Sequence, residues 1–235
     1  MLTRALKSLV FLCITAAAVL FSSLASASMQ LDKMIIYLDA LPNQREDIVV
    51  RNPDAETLYL QTEVFRVDNP GQEDEKLVPI VDPRDFMLLV NPRKAVIPSG
   101  AQKRFRLMSL ESGLEQEKVY RVTFKPVVGE ITSDVTGVKI LVAYQALIFV
   151  QPPSGAYELK LEKRGEQWVL RNNGNINVEV SKARWCVSED SCEDVEFAGR
   201  IYGGAEKAIK LPASGGYLEL RAYDGEQSRL EKFPR

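Results

Sequence analysis

Apolar residues in this chain recur at every second position in short runs, and no long segment holds a 3.6-residue apolar period. Residues 48–50, 58–67, 104–108, 119–124 and 138–150 are rich in Val, Ile, Leu and aromatics. Between them stand turn signals such as Asn52-Pro53-Asp54, Asp68-Asn69-Pro70-Gly71 and Pro98-Ser99-Gly100. Many short strands punctuated in this way predict an all-β sandwich or barrel. Residues 111–118 could close one helical turn and read better as a loop.

The pattern breaks at Gln151-Pro152-Pro153-Ser154-Gly155. Two consecutive prolines have no N–H to give to a ladder, so the preceding strand must stop there. β patterning then restarts over 157–161, 168–171, 176–183 and 217–223, with turns at Gly165 and Asn172-Asn173-Gly174-Asn175. The expectation is two sandwiches, over residues 28–151 and 154–235. The second is short enough that a covalent staple would help it.

The run over 137–150 alternates. Val138, Ile140, Val142 and Tyr144 point one way, in phase with Ile148 and Val150; Leu141, Ala143, Leu147 and Phe149 point the other. Both faces are apolar, as in a strand buried on both sides. Two readings stay open: a central core strand, or an edge strand whose second apolar row is lent to a partner. An exposed apolar edge is an aggregation hazard unless it is used.

Composition narrows the picture. Arg4 and Lys7, the apolar run 9–21 and Ala25-Ser26-Ala27 make a secretory leader, with cleavage expected after Ala27. Removal of 27 of the 235 residues leaves 208. The whole chain has 30 Lys and Arg against 32 Asp and Glu, and the leader takes two cations with it, so the mature chain stands at −4. Such a balance gives no electrostatic footprint for nucleic acid. No second stretch is long and apolar enough to predict stable membrane insertion. Of three cysteines, Cys13 leaves with the leader; Cys186 and Cys192 remain as an even pair in an exported chain, which predicts a disulfide closing a small strand–turn–strand clip.

Catalytic chemistry has little to stand on. With no histidine, the usual Ser-His-Asp, Cys-His and His-based metal sites are excluded. Gly203-Gly204 and Gly215-Gly216 lack the spacing and the following Lys-Ser/Thr of a phosphate loop. Glu73-Asp74-Glu75 and Glu189-Asp190 sit in polar, turn-like segments and read as solvated loops. No enzyme, metal or cofactor is expected.

The order of features resembles the periplasmic chaperones of chaperone–usher pili, the PapD-like family, over essentially the whole mature chain. Carrying the resemblance are Leu31-Asp32-Lys33, Asp47-Ile48-Val49-Val50-Arg51-Asn52, the run 92–107 with its proline–glycine turn, Val119-Tyr120-Arg121-Val122-Thr123-Phe124, the alternating strand ending Val150-Gln151-Pro152, and Trp168-Val169-Leu170-Arg171-Asn172-Asn173-Gly174-Asn175. The resemblance implies two immunoglobulin-like sandwiches in an L or boomerang arrangement. It also implies a client: a pilin subunit lacking its last strand, completed by the chaperone's long strand and passed to an outer-membrane usher. By position Val138, Ile140, Val142 and Tyr144 match the donor row.

One departure stands out. Typical members hold the subunit's C-terminal carboxylate with two cleft cations, at places where this chain has Ile35 and Leu147. Lys33, Arg121 and Lys139 are the substitute candidates, each of which also reads as an ordinary solvated strand charge. Gln151 stands where typical members have Arg. These departures, with Cys186/Cys192 and the Asn173-Gly174-Asn175 turn, look more like the alternative branch that includes the common pilus and the colonisation-factor fimbriae. The resemblance leaves open self-association of the client-free chain. The rival reading is a two-sandwich surface or periplasmic structural or adhesion protein without pilin clients.

Overall fold

The computed structural model describes residues 29–128, 140–212 and 215–234. The expected leader, Cys13, Val138 and Lys139 lie outside the described residues. The first ten strands are β1 (Gln30–Leu31), β2 (Ile35–Asp39), β3 (Arg45–Arg51), β4 (Leu58–Asp68), β5 (Lys76–Pro79), β6 (Leu88–Asn91), β7 (Lys94–Ile97), β8 (Gln102–Ser109), β9 (Lys118–Val127) and β10 (Tyr144–Gln151). They form one sheet in the order β1-β3-β8-β6 and a second in the order β2-β10-β9-β4-β5, with β7 also paired to β4.

Period-two patterning explains why these segments are strands and which face they bury. On β8, Phe105 and Leu107 are buried while Arg104 and Arg106, which alternate with them, are exposed; on β9, Tyr120, Val122, Phe124 and Pro126 are buried. Successive side chains leave a strand on opposite faces, so each sheet offers one apolar face. The two faces meet in a core that includes Ile48, Val50, Phe105 and Leu107 from one sheet and Leu60, Val122, Phe124 and Ile148 from the other. Phe105 and Phe124 meet edge to face with centroids 5.3 Å apart.

A second sandwich follows: β11 (Leu159–Arg164), β12 (Gln167–Asn172), β13 (Val178–Ser188), β14 (Ser191–Asp194), β15 (Gly199–Ile201), β16 (Glu206–Ile209), β17 (Tyr217–Tyr223) and β18 (Ser228–Pro234). Its sheets run β11-β12-β16 and β14-β13-β17-β18, with β15 beside β13. Trp185, Leu170, Val180, Leu218 and Leu220 fill its separate core. Cys186 faces Cys192 across the β13–β14 pair, and the two are bonded at 2.00 Å, as the sequence predicted.

Both sandwiches use the same pin. The buried amide of Asn52, at the end of β3, donates to Glu56 O (2.8 Å) and Ile97 O (2.9 Å) and accepts from Asp54 N (3.1 Å). Asn172, at the end of β12, donates to Ile176 O (2.8 Å) and Ile201 O (3.1 Å) and accepts from Gly174 N and Glu158 N, each at 3.0 Å. A strand that ends in a turn leaves buried carbonyls without ladder partners, and an amide side chain supplies both donors at once. Gly174 is required here, because a Cβ would lie 2.1 Å from Ala156 O.

Residues 111–117 form a loop, in agreement with the sequence reading. A single 3₁₀ turn, Pro83–Asp85, capped by the Asp82 carboxylate, is the helical element among the described residues. No helix among them is long and apolar enough to cross a membrane.

Candidate functional site

β10 stands at the centre of the candidate site. Its even-numbered residues Ala146, Ile148 and Val150 are buried in the first core, and Tyr144 packs at the core margin. Its odd-numbered residues Leu147 and Phe149 face the other way, against Val67, Val119, Tyr37 and, from the second sandwich, Tyr202. Both apolar faces read from the sequence are therefore used, each by a different core.

The two open readings of this strand each describe part of it. From Leu147 to Val150, β10 lies between β9, antiparallel, and β2, parallel, and is a central strand. Over Tyr144–Ala146 it pairs with β9 alone, because β2 begins at Ile35, opposite Leu147. The expected long strand is shorter than predicted: residues 140–143 are not strand. Ile140 is 80% exposed and Val142 50%. Of the four donor-row residues, only Tyr144 lies within the strand; Ile140 and Val142 continue its phase outside it, and Val138 lies outside the described residues.

The cation candidates separate. Lys33 precedes β2 and pairs with Glu46 on β3, in the opposite sheet; that carboxylate holds its ammonium above the ordinary lysine range. Lys139 lies outside the described residues. Arg121 on β9 stands directly across from Leu147, and Leu147 in turn pairs with Ile35. The two aliphatic residues at the expected cation positions are thus neighbours, with an arginine beside them. The Arg121 guanidinium meets Glu75 at 2.7 Å, and Glu75 also accepts from Gly71 N at 2.8 Å. The sequence reading of Glu75 as a solvated turn residue is corrected: a strand cation draws it onto the sheet face.

Behind this edge the two sandwiches meet through polar groups that the sequence did not single out, Gln151 apart. Arg200 on β15 donates to the Tyr37 hydroxyl (2.7 Å) and to Glu179 (2.6 Å), bonds the Asn177 side-chain oxygen, and lies 4.5 Å from the centre of the Phe149 ring. Tyr37 stacks on Phe149 with centroids 5.1 Å apart. Glu117, just before β9, accepts from the Asn177 side chain (2.5 Å), Asn177 N (3.3 Å) and Gln151 Nε2 (3.0 Å). Burial outweighs these donors and the nearby Arg200, and pushes the Glu117 carboxyl up to about 7. No periodicity marks Arg200 or Glu117 in the sequence, because each is fixed partly by a residue of the other sandwich, Tyr37 for Arg200 and Asn177 for Glu117.

A cavity of about 430 Å³ opens beside this network, lined by Arg66, Asp68, Glu117, Lys118, Asn175 and Tyr202 among others. Arg66 is committed to Asp68 at 2.7 Å. Among the described residues no group of three or more His, Cys, Asp or Glu side chains is arranged to hold a metal. The site offers an open strand edge, the exposed apolar pair Ile140 and Val142, and Arg121 across from Leu147.

Comparison with known proteins fits that chemistry. No family model matches the chain. A fimbrial subunit protein of the CS1 system of Escherichia coli is 27% identical over 200 residues, 80% of this chain and 83% of the relative. The crystal structure of the class 5 fimbriae chaperone CfaA matches with a TM-score of 0.69 at 23% identity, covering 88% of this chain and 99% of that one. A chain from the structure of a chaperone–tip adhesin complex of CFA/I fimbriae biogenesis matches with a TM-score of 0.65 at 25% identity, over 89% and 100% of the two chains. The pilus chaperones are non-enzymatic and periplasmic. The chain is a two-sandwich protein with the PapD-like fold of the chaperone–usher pilus chaperones.

Proposed function

We propose that the protein is a periplasmic chaperone that binds and stabilises pilin subunits by donor-strand complementation and delivers them to an outer-membrane usher. The observation that carries this reading is the exposure of Ile140 and Val142, at alternate positions, immediately before a strand whose outer edge is open over Tyr144–Ala146. A client strand added at that edge would take the free backbone groups. The row Val138, Ile140, Val142 and Tyr144 would fill the client's groove. Burying an Ile or Val side chain contributes about 1.5–3 kcal/mol, so two such residues contribute a substantial part of the affinity before any backbone bond is counted.

Arg121 is the favoured anchor for the client's C-terminal carboxylate. It is paired across the strand with Leu147, beside Ile35, and a client carboxylate bound there would take the place of Glu75. Lys33, committed to Glu46 on the other sheet, is disfavoured. The reading takes residues 1–27 as a cleaved leader, 28–151 as the chaperone domain and 154–235 as the smaller second domain. Self-association of the client-free chain through the same edge belongs to the reading as well.

The CS1 relative is called a fimbrial subunit. A pilin would be a single incomplete sandwich, whereas this chain has two sandwiches, each with its own core. The test is periplasmic co-expression with the pilin-like proteins of the same genome, followed by affinity purification of this chain. A one-to-one complex is expected, and Ile140→Asp should abolish it while leaving the melting profile of the free chain unchanged. A folded Ile140→Asp chain that still protects a pilin would sink the donor-row assignment. No pilin bound to the folded wild-type chain would favour the clientless structural or adhesion reading.

A further inference from the structure

We propose that Pro126 is a ladder stop: it keeps residues 140–143 out of the sheet in the client-free chain, so that the row Ile140/Val142 becomes strand only when a partner strand is added at the opposite edge. The first half concerns the fold alone; the second rests on the donor-strand reading above.

In an antiparallel sheet each residue turns its N–H and C=O toward one neighbouring strand only. On β4, Thr62 N–H donates to Arg93 O (2.8 Å) and Val64 C=O accepts from Ile80 N (2.9 Å), so even-numbered residues of β4 face away from β9. The register pairs Thr62 with Phe124 and Val64 with Val122, so the even-numbered residues of β9 face β10. On β10, Leu147 N–H donates to Met34 O (2.8 Å), so its odd-numbered residues face β2 and its even-numbered ones face β9. Phe124 and Tyr144 therefore form a mutually bonded pair, and it is the last in the ladder.

One step along the same register, Pro126 stands where Val142 would pair. Proline has no N–H, so the Val142 carbonyl would lose its ladder bond there. β9 itself does not end at this point: it stays paired with β4 through Pro126↔Leu60 and Val127↔Tyr59. The missing donor costs β4 nothing, since the main chain of Pro126 is turned away from it. The partner strand is thus present, and what fails is the bond. Proline in a sheet is otherwise confined to places where its nitrogen faces no neighbour, and its position here makes the far end of β9 an edge.

The consequence is a short adhesive edge. A β10 zipped through residue 140 would present a longer flat apolar strand in the free chain, the arrangement that invites self-pairing. Leaving four residues unzipped shortens that edge and defers their ordering to the moment of client binding.

The test is amide hydrogen exchange on the free full-length chain, comparing wild type with Pro126→Val and Pro126→Ala, both of which restore the N–H. In the wild type, the amides of Ile140 and Val142 should exchange at rates close to those of an unstructured peptide, while Ala146 and Ile148 are protected. In the variants, one regained backbone bond should slow exchange at Ile140 and Val142 by about fivefold or more. Unchanged exchange in a folded variant overturns the assignment, as does wild-type protection at Ile140 and Val142 equal to that at Ala146. If neither variant folds, Pro126 is a packing residue and the assignment also falls. Because exchange is read on the free chain, failure to capture any pilin would remove the donor-strand reading without altering this outcome.

Discussion

Replacing Glu117 with Gln should flatten the pH dependence of the interface between the two sandwiches. Glu117 belongs to the first sandwich and is held by Asn177 of the second and by Gln151 at the junction. Its carboxyl is raised from 4.5 to about 7, first by burial, with the hydrogen bonds from Gln151 and Asn177 and the charge of Arg200 pulling the other way. Below pH 4.5 both folded and unfolded chains hold the proton, and burial costs little. Between 4.5 and 7 the unfolded chain releases it and the folded chain keeps it. The folded state then binds more protons, so stability falls as pH rises. Above 7 the folded state carries a buried charge and the loss is complete. At about 1.4 kcal/mol per pH unit the loss is at most about 3 kcal/mol. Glutamine keeps an acceptor for Asn177 and has no proton to lose. The assay is urea unfolding of wild type and Glu117→Gln from pH 4.5 to 8, followed through tyrosine and tryptophan fluorescence. The difference between the two curves should change by about 1–3 kcal/mol, with the wild type relatively weaker at high pH. Parallel curves would refute the claim that burial dominates. A wild type that gains relative stability with rising pH would mean that Asn177, Gln151 and Arg200 stabilise the ionised form more than desolvation opposes it.

Other expectations concern the second sandwich. Replacing Cys186 and Cys192 together with Ser opens a loop of six-residue separation; the chain-entropy account gives a cost of about 2 kcal/mol, read as a lower melting temperature of the non-reduced protein, with pilin capture kept wherever the chain is folded. Asn172→Ala removes two donors to buried carbonyls and an acceptor for two backbone amides. It should cost about 2–4 kcal/mol, seen as an earlier urea midpoint, whereas Asn173→Ala, next to it and exposed, should stay near wild type.

The chain's own pattern determined a good deal of this protein. Alternation at Phe105 and Leu107, at Val122 and Phe124, and at Leu218 and Leu220 specifies strands and their buried faces, because side-chain direction in a strand depends only on parity. The prolines after Gln151 stop β10 by local chemistry alone, and Cys186 and Cys192 are bonded as expected from the sequence. The tertiary structure decided what depends on neighbours brought from afar. Where β10 begins is set by β9, whose Pro126 carries no signal at residue 142, far along the chain. Which core each apolar row of β10 fills follows from what faces it, the first sandwich's other sheet for Ile148 and Val150 and Tyr202 of the second sandwich for Phe149. The roles of Glu75, Glu117 and Arg200 rest on partners distant in the chain: Arg121 for Glu75, Asn177 for Glu117 and Tyr37 for Arg200. Parity and turn chemistry are local and legible in one sequence. Pairing register and burial of lone charges are properties of the assembled sheets, and no periodicity along the chain encodes them.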